Sequence, residues 1–159
     1  MAASRKVPNV FKESLELFAA HGSDIEEFYP RIEDLDQSIP EAARVYLAQA
    51  FLSLHAPDGA VMLAASSIDA MLKALNLQAG SLYSRIEAAV KGGKLTPAMA
   101  QWAHQVRLDA NDVRHADEKS PHHDEASARR VLEFARALAD FLFVFPHRVN
   151  RGLTASATK

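Results

Sequence analysis

The stretch GAVMLAASSIDAMLKAL, Gly59 to Leu75, decides the fold. Val61, Leu63, Ala64, Ile68, Met71, Leu72 and Leu75 put apolar side chains around most of a helical circumference, and such a helix belongs at the centre of a bundle. The chain on either side reads as helices with one apolar face. Upstream, Ser38-Ile39-Pro40-Glu41 has capping-box spacing, a hydroxyl followed three residues on by a carboxylate. It predicts a helix to about His55, with Val45, Leu47, Ala48, Phe51, Leu52 and Leu54 as its apolar surface, followed by a turn at Pro57-Asp58-Gly59. Downstream, Ser81 caps a short helix through Val90 that Gly92-Gly93 closes. Thr96-Pro97 supplies N-cap and first-turn residues for a helix to about His115. Asp124 caps a last helix, on which Val131, Leu132, Phe134, Ala135, Leu138, Phe141, Leu142 and Phe145 recur at three and four, with Pro146 after its end. The expected fold is all-α: an antiparallel bundle of about five helices with short connections.

Composition agrees. The 159 residues hold 29 Ala and 17 Leu against 10 Val, 5 Ile and 3 Thr, a balance that favours helix over strand. That length suits one domain with appended segments. Residues 1–37 read as an N-terminal helical arm and connector, with a helix over Asn9 to Ala20 and aromatic pins at Phe28 and Tyr29 before Pro30. Residues 38–151 form the expected bundle and 152–159 a loose tail. The absence of Cys removes disulfides, thiolate metal sites and thiol nucleophiles. No signal-peptide core and no membrane-length apolar run occurs, so a cytoplasmic protein without a membrane partner is expected. The net charge of −2 argues against holding nucleic acid by bulk electrostatics, though not against a local basic site.

The helix ending at His115 carries the chemistry. On a wheel advancing about 100° per residue, Met99, Trp102, Ala103, Val106, Ala110 and Val113 share one apolar face. His104, Arg107, Asn111, Arg114 and His115 fall in a polar stripe at its edge, while Gln105, Asp109 and Asp112 lie opposite. Two accounts of the stripe stand side by side. In the structural one, Arg107 pairs with Asp69 and Asn111 bonds to backbone. In the functional one, Arg107, Asn111 and His115 act on a phosphate, with His104 and Arg114 as further contacts. Eight residues of helix hold Arg107 and His115 about 12 Å apart, so catalysis by the pair favours a symmetric homodimer that brings two stripes together.

The pattern Trp102-x4-Arg107-x2-Ala110-Asn111-x3-His115, followed by an acid-started apolar helix ending in Phe-Pro, resembles the bacterial family of domain of unknown function 4145. Phe28-Tyr29-Pro30, Ile39-Pro40, Tyr46 and its alanines, Asp58-Gly59-Ala60 and Ile68-Asp69 extend the resemblance over roughly Phe28 to Arg151. That family is similar to the HEPN helical domains (higher eukaryotes and prokaryotes nucleotide-binding). Many of those are metal-independent ribonucleases of toxin or phage-defence systems, built on an Arg-polar-His motif at a dimer interface. Here Ala110 replaces a frequent Gly, Ser66 stands where an Arg is common, and the Arg107–His115 spacing exceeds the family's usual one. The ribonuclease reading implied by the resemblance gives His115 the proton transfers, as an imidazole can near pH 7, Arg107 the phosphate charge, and Asn111 an orienting hydrogen bond.

Three function classes follow. One is an interaction or regulatory domain, homodimeric, whose Arg107/Asn111/His115 stripe holds a nucleotide or RNA phosphate. The second is the endoribonuclease, and the third a small-ligand or metal sensor using His115, His122 and His123. The histidine spacing matches no familiar zinc pattern and no motif calls for a cofactor. Gly92-Gly93-Lys94 lacks the order of a phosphate loop, and Ser66-Ser67 reads as small residues at a close helix approach.

Overall fold

The computed structural model of the chain describes residues 35–115 and 121–157. The expected arm helix at Asn9 to Ala20 and the Phe28-Tyr29-Pro30 pins lie outside the described residues. The rest is an all-α bundle of α1 (Glu41–Leu52), α2 (Pro57–Ala74), α3 (Leu82–Lys91), α4 (Pro97–His115) and α5 (Glu125–Ala139); α5 runs through a π segment (Asp140–Val144) into α6 (Phe145–Ala157). The helix with the all-round apolar pattern, α2, is the centre: it packs against α1, α3, α4 and α5. Val61, Ala64, Ile68, Met71 and Leu72 on it are fully buried. Small residues let α1 come close, and the buried Ser67 hydroxyl donates across that contact to the Ala43 carbonyl at 2.8 Å.

Local chemistry sets most helix ends. Ser81 accepts from the Ser84 N–H, and Asp124 from the Ser127 N–H at 2.7 Å, as N-caps do. Thr96 Oγ1 accepts from the Met99 N–H at 3.2 Å, one turn into α4. At the end of α2, Asn76 adopts φ +66°, while the N–H groups of Asn76 and Leu77 return to the carbonyls of Lys73 and Leu72. This closes the helix as a Schellman motif, with Asn where Gly is commoner. Gly93, at φ +67°, does the same for α3.

Five sequence expectations are corrected. The Ser38–Glu41 capping box does not form: the Ser38 hydroxyl and N–H both donate to the Asp36 carboxylate, and α1 starts behind Pro40 with no side-chain cap. A carboxylate two residues back is the nearer acceptor and makes a local turn instead. The first helix stops at Leu52 rather than His55, and the second begins at Pro57, so Pro57-Asp58-Gly59 is a first helical turn. Trp102 leaves the expected core face. It is 48% exposed and stacks on Phe134 with ring centroids 4.4 Å apart. Finally, Pro146 does not end the last helix. The Phe145 N–H bonds five residues back to Asp140, and this wider π turn makes room for a proline ring that a regular α turn would press onto the residue-142 carbonyl. The chain then stays helical to Ala157, where composition predicts a loose end.

Candidate functional site

The polar stripe lies on α4, whose Ala100, Ala103, Val106 and Ala110 are buried against the bundle. Arg107 and Asn111 are therefore half-buried at the edge of that face, whereas Arg114 and His115, on the last turn, are exposed. The short helix α3 packs alongside. Tyr83 on α3 sits beneath two α4 side chains: the Arg107 guanidinium carbon is 5.5 Å from its ring centroid, and the His104 ring is 4.8 Å away, tilted by 35°. One turn further along α3, Glu87 Oε1 is 2.8 Å from His104 Nε2. Among the described residues Arg107 is thus held by a cation–π contact and not by a carboxylate, and its buried Nε has no hydrogen-bond partner there.

The expected Arg107–Asp69 pair is not formed. Asp69 is held instead by Arg85 Nη1 at 2.8 Å and by Lys73 Nζ at 2.6 Å. Arg85 also donates to the Gln78 carbonyl at 3.2 Å. The cause is helix packing: α3 crosses α2 beside Asp69, and Arg85 lies between Leu82 and Ala89 on the face of α3 that turns inward. Sequence reasoning missed Arg85, yet a signal was there, a cation amid the apolar positions of an amphipathic helix.

With Asp69 neutralised from α3, the cations of α4 are left facing a cleft. Arg107, Asn111 and Arg114 line a cavity of about 200 Å³ together with Tyr83 and with Ser81 and Leu82 from the first turn of α3. It adjoins a groove of about 630 Å³ that shares Ala65, Leu82 and Arg114 and holds Asp69, Lys73 and Arg85. Three of the five stripe residues therefore converge. His104 lines a separate depression with Glu87 and Leu108, and His115 lines none of these cavities.

The remaining histidines do something different. His122 Nδ1 is 2.6 Å from Asp58 Oδ2, His123 Nδ1 is 3.0 Å from Asp58 Oδ1, and the His123 N–H donates to that oxygen at 2.9 Å. The segment ahead of α5 is thus tied to the first turn of α2. The backbone N–H of His123, ahead of the contribution of the His122 side chain, lowers the Asp58 carboxyl to a pKa of about 2. On the other side of the imidazole, Asp109 Oδ2 is 4.0 Å from His123 Nε2, so Asp109 is not the freely solvated residue the wheel suggests. Among the described residues no group of three or more His, Asp or Glu side chains is arranged to hold a metal ion.

The fold and site define a class: a small all-α bundle with a cationic cleft between its central helix, a short capped helix and the helix bearing Arg107. The family model described as "Domain of unknown function (DUF4145)" matches residues 47–155, and the chain belongs to that family. No curated protein and no solved structure matches the chain. Among the described residues no helix is long and apolar enough to cross a membrane.

Proposed function

We propose that this chain is an interaction domain that anchors a phosphate, borne by a nucleotide or by RNA, in the cleft lined by Arg107, Asn111 and Arg114. The observation that carries the reading is the convergence of Arg107, Asn111 and Arg114 on one cavity that no carboxylate lines, while Asp69 of the adjoining groove is already paired. A guanidinium presents a planar fork of donors matched to phosphate oxygens. The start of α3, the positive end of its helix dipole, lines the same cavity through Ser81, Leu82 and Tyr83. Binding, not cleavage, is favoured by His115, which lines no wall shared with Arg107. The site is complete within one chain, so anchoring needs no homodimer; a dimer is required only by the ribonuclease reading, in which Arg107 and His115 must meet across two copies.

The test is titration of the full chain, in EDTA, with a nucleoside diphosphate, inorganic phosphate and a short single-stranded RNA, following affinity and RNA integrity in the same samples. Loss of one charge-assisted contact costs about 1.5–3 kcal/mol, so Arg107→Gln and Arg114→Gln are each expected to weaken binding by about tenfold or more. Preference for the diphosphate over RNA assigns a nucleotide, and the reverse assigns RNA. Affinity unchanged in both variants would overturn the proposal. RNA cleavage that disappears in His115→Ala would replace it with the ribonuclease reading.

A further inference from the structure

The last helix is built to be covered and nothing described covers it. Phe145, Val149 and Leu153 recur every fourth residue on α6 and so share a face. Phe145 is 64% and Leu153 65% exposed, in a bundle whose other large aliphatic residues are mostly buried. Among the described elements, the packing of α6 is on the π segment that feeds it. Arg148 borders that face one turn from Phe145, Arg151 and His147 lie on the opposite side, and the helix has no carboxylate. They line a cleft of about 670 Å³ with Arg136 and Asp140 from the preceding turns.

The opposite wall of that cleft is Leu35 to Ile39, where the chain enters the described fold. Asp36 Oδ2 already stands 4.0 Å from Arg148 Nη2. Immediately upstream, residues 9–34 carry seven carboxylates against Lys12 and Arg31, and Val10, Phe11, Leu15, Leu17 and Phe18 give them an apolar set at helical spacing. An apolar face bordered by Arg148 therefore lies beside the point where an apolar, acidic stretch of the same chain begins. We infer that the Phe145/Val149/Leu153 face of α6 is the docking surface of residues 9–34 of the same chain, with Arg148 at its edge pairing with their carboxylates. Reach is ample. The residues between Phe18 and Leu35 span up to about 55 Å when extended, against about 20 Å for the length of α6.

The native chain has no cysteine, so Ser156→Cys in the full chain gives a single attachment point for a nitroxide on the exposed end of α6. Amide resonances of residues 9–34 in the same chain are expected to be lost, and to return when the nitroxide is reduced. Adding Arg148→Glu is expected to abolish that loss while circular dichroism stays unchanged. In a mixture of spin-labelled chains at natural abundance with isotope-enriched chains lacking the label, no loss is expected. Retention of the signals in the labelled chain overturns the inference, as does a loss that survives the charge reversal. Loss in the mixed sample also overturns it, by giving the face to a second copy.

Discussion

At the scale of single residues, two carboxylates on α2 show how a charge is held by what packs beside it. Asp69 takes its cation from α3, and this separates two arginines that look equivalent in the sequence. Arg85→Gln leaves a part-buried carboxylate with only Lys73 and is expected to cost about 2 kcal/mol in chemical denaturation. Arg107→Gln removes only a contact with the Tyr83 ring and is expected to cost about 1 kcal/mol or less while weakening phosphate anchoring by about tenfold or more. Equal losses of stability would show that Arg107 has a structural partner after all. Asp58 gives a pH dependence with a definite sign. Its folded pKa of about 2 lies below the usual value near 4, so its contribution to stability is present above pH 4 and is lost as pH falls toward 2. For this partly solvated group it amounts to about 1–2 kcal/mol. Asp58→Asn is expected to be less stable by about that amount at neutral pH and to unfold with a shallower acid limb. An acid limb identical to that of the native chain would refute the assignment.

At the scale of elements, caps and turns chosen by one or two residues decide where helices run. Asp124 accepts from the first turn of α5, which holds its carboxyl below the ordinary range, and Asp124→Ala is expected to lower the midpoint of thermal or denaturant unfolding. No change would mean that α5 is held at that end by packing alone. The π segment makes the complementary point. A proline in a helical sequence normally marks an end, and here one enlarged turn absorbs it. Pro146→Ala is expected to leave the helix content of the chain unchanged or slightly higher, since the rod is already continuous. A fall in circular dichroism would show that proline actively shapes this turn.

At the scale of the whole molecule, a chain with a net charge of −2 keeps a cationic cleft by spending its carboxylates elsewhere. Asp69 is neutralised from α3, Asp58 holds the segment ahead of α5, and Glu87 faces His104. Binding of single-stranded RNA through Arg107 and Arg114 should then depend only mildly on salt. With two phosphate contacts, affinity is expected to fall by about sevenfold between about 50 and about 200 mM salt. A much steeper fall would mean that a broader surface takes part, with Lys73 and Arg85 of the adjoining groove the first further cations. The number of helices and their central member were legible because an apolar circumference needs neighbours on every side. The polar stripe of α4 was legible as a stripe, but not the membership of the cleft: Arg107, Asn111 and Arg114 are separated from His115 by where α3 lies.

The sequence by itself determined the all-α class, the central place of α2, the caps at Ser81 and Asp124, and the edge position of the residues around Arg107. These follow from interactions within a turn or two of the chain, which a linear pattern encodes. Only the tertiary structure decided that Asp69 belongs to Arg85, that Asp58 holds His122 and His123 across more than sixty residues, that Trp102 lies outside the core, and that Pro146 is passed through. Each of those depends on which helix crosses which and at what register. A guanidinium pairs with whichever carboxylate packing brings within about 3 Å of it, and spacing along the chain does not carry that distance.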